Sequence, residues 1–167
     1  SFDNFPKMNK KKSNAIIFIA LELNSFLNKD LGILSSELEV KSIVLKHNKG
    51  VKYIFNLLFL SFQILVLRAK GIDKVYIAFA DYHSFIITLL SQIFRFRVFV
   101  RVGGFELNEI PEIGYGGRIQ RFRRFCIEYT LKNCYLSLPV AKDLCERAAK
   151  LKKSKNGSIV NISSTAG

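Results

Sequence analysis

Apolar and polar positions along this chain follow two periods. Short runs rich in β-branched residues, at 14–21, 40–45, 74–80, 98–102, 134–138 and 158–162, have the length and composition of buried strands. Between them lie longer stretches in which apolar residues recur every three or four positions, as one face of a helix requires. The clearest is 82–93, where Tyr82, Phe85, Ile86, Leu89, Leu90 and Ile93 form a stripe expected to be buried. Phe26, Leu27, Leu31, Leu34 and Leu38 mark a helix ending near 38. Ile119, Phe122, Cys126 and Tyr129 mark the buried row of a basic helix over 118–132. A long helix follows the polar turn His47-Asn48-Lys49-Gly50 and runs to Arg68, and another is expected over 140–151, just after Pro139.

The boundaries carry their own signals. Asp81 stands where an N-cap is wanted, as does Asn24 or Ser25 for the first helix. Gly71 follows the long helix as a C′ residue does. Strand and helix alternate almost throughout, which selects an α/β fold with a doubly wound, mostly parallel sheet and helices on both faces. Within it, 74–106 reads as one βαβ crossover. Its second strand ends at Gly103-Gly104, on the sheet edge where ligands bind in open α/β folds.

Composition narrows the class. At 167 residues the chain is one domain, or one with an appendage, and can bury a core of its own. Residues 1–13 read as a basic lead-in, 14–162 as the domain and 163–167 as a tail or the start of a linker. A formal net charge of +13 implies attraction to something anionic: nucleic acid, an acidic membrane surface or a phosphorylated substrate. Cys126, Cys134 and Cys145 form no C-x-x-C pair, which argues against a disulfide framework or zinc site and for a reducing compartment. No secretory signal is expected. The apolar stretch 53–67 is shorter than the roughly 20 residues that cross a bilayer, so a buried helix is expected, with an interfacial helix as the alternative.

Candidate chemistry gathers at the predicted ligand edge. The Gly103-Gly104 pair allows a sharp turn and close approach of a ligand, or is an ordinary tight turn. No third glycine follows at the dinucleotide spacing, which disfavours a nicotinamide enzyme. Glu106, Glu109 and Glu112 share the loop 107–117 or its approach, where a carboxylate can act as a general base or accept from a sugar hydroxyl; solvated loop charges are the plainer reading. His83 opens the helix after strand 74–80, either contacting a ligand or filling a capping or core role. His47 reads as inert. Arg118, Arg121, Arg123 and Arg124, with Arg95, Arg97 and Arg101, are the densest basic group and point to phosphate or membrane contact. Phe122 and Phe125 are assigned to the core stripe rather than to base stacking.

Several of these segments fall into a known order. Ser25-Phe26, Lys29-Asp30 and Ile33-Leu34-Ser35 before Val40-Lys41, then Tyr82-His83-Ser84-Phe85, then Gly103-Gly104-Phe105-Glu106 with Pro111, Ile113, Tyr115 and Gly116, and finally Pro139-Val140, resemble family 4 glycosyltransferases over about residues 14–162. Gly103 stands where many members carry histidine, so no role for that histidine carries over. The resemblance implies the N-terminal, Rossmann-like half of a GT-B fold, the half that binds the acceptor. It implies retaining glycosyl transfer from a nucleotide-sugar donor, without a metal or other cofactor.

On that resemblance Gly103, Gly104, Phe105, Glu106, Tyr115 and Gly116 are the expected acceptor-binding residues, with His83 and Glu106 the catalytic candidates. The family's donor-binding domain would begin where this sequence ends, so it is expected in cis or in trans, and these 167 residues alone are expected to be inactive. The expected acceptor is a sugar or a lipid-linked sugar, and the expected location is cytoplasmic, peripheral at the inner face of the membrane. Two rivals stay open: a basic α/β module that binds nucleic acid, and a flavodoxin-like partner protein without catalysis.

Overall fold

The structure is a computed structural model and describes residues 14–45, 50–152 and 158–159. The readings of the lead-in 1–13, the turn at His47, residues 160–162 and the tail 163–167 lie outside the described residues.

The elements run β1 (Ala15–Ala20), α1 (Ser25–Glu37), β2 (Glu39–Val44), α2 (Val51–Ala69), β3 (Lys74–Ala78), α3 (Tyr82–Phe94), β4 (Arg97–Val102), α4 (Arg121–Asn133), β5 (Leu136–Pro139), α5 (Lys142–Lys152) and β6 (Ser158–Ile159). All strand pairs are parallel, in the order β2-β1-β3-β4-β5-β6. The fold is therefore the expected Rossmann-like, doubly wound α/β sheet. The chain steps left from β1 to β2 and then right from β3 onward, so the topological switch point lies between β1 and β3.

Every residue of β1 is buried, because helices cover it on both faces. On one face Phe18 and Tyr76 stack at 5.2 Å and meet Leu27 of α1. On the other, Ile17, Ile77 and Val100 meet Leu60 and Ile64 of α2, Ile87 of α3, and Ile127 and Leu131 of α4. The predicted caps are in place. Asn24 Oδ1 accepts from the Leu27 amide at 3.0 Å. Asp81 and Ser84 form a reciprocal capping box. Gly71 follows α2 with φ +97°.

Three helix faces differ from expectation. In α3 the buried residues are His83, Ser84, Ile87, Thr88 and Ser91, while Leu89 and Ile93 are exposed and the rest of the predicted stripe is half-buried. The small hydroxyls let α3 approach its neighbours closely. Ser84 and Ser91 bond back to carbonyls of their own segment, and Ser84 Oγ meets Thr130 Oγ1 at 3.1 Å. In α4 the buried row is Cys126, Ile127, Thr130 and Leu131; Phe122 is exposed, Tyr129 is half-buried and Ile119 precedes the helix. In α2 only Leu57, Leu60 and Ile64 are buried, so the expected buried helix is instead a half-open one. At 19 residues it is long and apolar enough by composition to cross a membrane, yet its inner row is spent on the sheet.

Candidate functional site

Leu21 after β1, Phe79 to Asp81 after β3 and Gly103 to Glu106 after β4 meet at the switch point. They enclose a cavity of about 310 Å³ that Tyr115 and Arg123 complete. The loop behind it is not slack. Phe105–Leu107 and Pro111–Ile113 are 3-10 turns, and Ile110 and Tyr115 exchange backbone bonds of 2.8 and 3.1 Å. The Gly117 amide donates to the Phe105 carbonyl at 2.8 Å. Arg147 of α5 donates to the Leu107 carbonyl and to Asn108 Oδ1, pinning the first turn. Gly116 is required by this closure: its φ is +125°, and a Cβ there would overlap the Asn108 carbonyl.

Glu106 is the chemical centre. Its side chain is 1% exposed. Oε2 accepts from the amides of Gly103 at 3.1 Å and Gly104 at 3.0 Å, a pair of donors aligned by φ +110° at Gly104. Oε1 is buried without a partner. Burial pushes the carboxyl above its ordinary value, and the surrounding backbone amides hold it partly down.

Of the three loop carboxylates, only Glu106 lines the cavity. Glu112 is exposed, and Glu109 reaches Arg124 at 3.6 Å across solvent. His83 is fully buried and is not among the residues that line the crevice. Burial lowers its pKa to about 4, with Arg123 adding to the effect and Asp81 opposing it. It is a neutral core residue at neutral pH and is not placed to touch a ligand. Phe105, Tyr115 and Gly103 line the cavity, with Phe105 and Tyr115 edge to face at 5.3 Å. Gly104 and Gly116 shape it from behind.

The arginine group is divided by the structure. Arg123 grips both carboxylate oxygens of Asp81, at 3.0 Å through Nε, and its guanidinium lies 5.0 Å from the Phe105 ring centre. Arg118 binds Glu128 at 2.8 Å, and Arg124 binds the same carboxylate at 2.9 Å. Arg101 binds Asp30, which also accepts from Tyr76 Oη at 2.5 Å. Among the described residues Arg121 makes no ion pair, and it stands exposed on the helix that also carries the exposed Phe122 and Phe125.

No known protein family, curated protein or solved structure matches this chain.

The sequence does not announce the Asp81–Arg123 clamp, because the two residues lie 42 positions apart and Asp81 already accounts for itself as a cap. Phe79, which forms one wall, carries no motif at all. Among the described residues no group of three or more His, Cys, Asp or Glu could hold a metal ion.

Proposed function

We propose that this domain is the acceptor-binding half of a retaining GT-B glycosyltransferase that takes its sugar from a nucleotide donor and works with a donor-binding domain supplied in cis or in trans. The observation that carries the reading is the buried Glu106 carboxylate, held by two glycine amides in the lining of the switch-point crevice. The carboxylate accepts from the acceptor hydroxyl and orients it, while Phe105 and Tyr115 offer the aromatic walls against which sugar rings pack. The ordered motifs around Tyr82 to Phe85, Gly103 to Glu106 and Pro111 to Gly116 support the same assignment.

The domain works at an anionic membrane, on the cytoplasmic side. Val51, Phe55, Leu58 and Phe62 form an exposed apolar stripe on α2, Ile93 and Phe94 are exposed at the end of α3, and Lys52 on α2, Arg95 just after α3 and Arg121 at the start of α4 stand exposed as well. Apolar side chains with basic neighbours suit the headgroup region of acidic lipid.

The test is transfer to a neutral glycoside by the chain together with its donor-binding domain. Glu106→Gln is expected to lower kcat/KM roughly tenfold or more, the value of a charged hydrogen bond. Glu109→Gln and Glu112→Gln leave it unchanged. Wild-type transfer by Glu106→Gln, or full transfer by residues 1–167 alone, would sink the proposal.

One observation favours a second reading. Phe122 and Phe125 are exposed beside Arg121, an arrangement that also suits stacking on bases. Strongly salt-dependent binding to single-stranded RNA or DNA, with no preference for anionic over neutral vesicles, would favour that reading instead.

A further inference from the structure

Phe79 has a backbone φ of +69°, in the left-handed region that side chains with a Cβ rarely adopt, and strain of that kind gathers at ligand sites. Its ring fills the space above Gly103, where a Cβ would come within 2.5 Å of it. Phe79 lines the Glu106 cavity and also a second cavity of about 380 Å³, to which Glu22, Asn24 and Leu27 contribute; Leu21 belongs to both as well. An apolar cavity of about 150 Å³ holds a benzene ring, so each chamber has room for one pyranose ring.

The charge in these chambers is the reverse of the chain's net charge. The only cation among the lining residues is Arg123, and Asp81 occupies it. Glu106 lines one chamber and the exposed Glu22 lines the other, together with Asn24, whose Oδ1 is taken by the Leu27 amide. A phosphate or carboxylate would meet these carboxylates without compensation, whereas hydroxyl donors satisfy them.

We propose that Phe79 partitions the switch-point crevice into two subsites and that the ligand selected is a neutral, two-unit glycan, one sugar in the Glu106 chamber and one in the Glu22 chamber. This rests on reading the crevice as the acceptor site and adds the class of acceptor.

The test is an amide-resolved NMR titration of the full chain with neutral methyl monosaccharide and disaccharide glycosides and with inorganic phosphate. A disaccharide should move the Gly103-Gly104 and Asn24 amides together and bind about tenfold more tightly than the monosaccharides. Phe79→Ala and Phe79→Gly should erase that preference. Phe79→Gly tolerates the left-handed backbone, so a folded variant is secured. The proposal is overturned by tighter binding of phosphate than of glycosides, by an absence of glycoside binding, or by an unchanged disaccharide preference in Phe79→Gly. Two-chamber glycoside binding without any sugar transfer when the donor-binding domain is present would instead defeat the enzyme reading and leave the partition standing.

Discussion

The switch-point crevice and the outer surface of α2 to α4 use similar residues in opposite ways. In the crevice, charge is enclosed and assigned: Arg123 belongs to Asp81, and Glu106 is clamped by two glycine amides. On the outer surface Phe55, Phe62 and Ile93 are each more than 60% exposed. A net charge of +13 describes the second region and misdescribes the first. Net charge is a property of the whole surface, whereas a binding site is made by the few groups whose partners are missing.

The largest effect that separates the two regions is expected at Gly116. Gly116→Ala combines a left-handed backbone with overlap on the Asn108 carbonyl, which Arg147 helps to hold in place, and should cost about 3 kcal/mol in denaturant unfolding. Gly114→Ala, with φ +62° and open space around it, should cost about 1 kcal/mol. Equal costs would mean that the loop is not closed as described.

Acid should act on the crevice side next. Folded His83 titrates near 4 against 6.5 for the free group, so the folded state accommodates only the neutral ring. Stability is intact above about 6.5 and falls as pH drops from there to about 4, by about 3 kcal/mol. Glu106 acts in the other direction: burial favours its protonated form, so its contribution is present in acid and lost as pH rises through its raised pKa. Unfolding curves of the wild type and His83→Gln across that range should differ in slope. Parallel curves would remove His83 from the account.

The smallest stability change belongs to the outer surface. Phe55→Ser with Phe62→Ser should shift unfolding by less than about 0.5 kcal/mol per site yet weaken binding to anionic vesicles about tenfold. Unchanged vesicle binding would detach α2 from any membrane role.

The frame of the molecule was legible because its signals are local. β-branched runs gave the strands, Asn24 and Asp81 gave helix starts, and Gly71 gave a helix end. Helix orientation was not legible in α3, which contains no Asp, Glu, Lys or Arg to mark its solvent side. There the period of the apolar residues was right, but the buried side was the one carrying Ser84, Thr88 and Ser91. The site was half legible. The glycine pair and Glu106 stood out at a strand end, whereas Phe79, the Asp81–Arg123 clamp and the burial of His83 depend on segments brought together only by the sheet.

Calorimetric titration of the chain with neutral glycosides and, separately, with UDP- and GDP-sugars tests the central claim most directly. Binding of a neutral glycoside that is lost in Glu106→Gln, with no tight binding of the nucleotide-sugars, is the predicted result. Tight nucleotide-sugar binding by the chain alone, unaffected by Glu106→Gln, would contradict it.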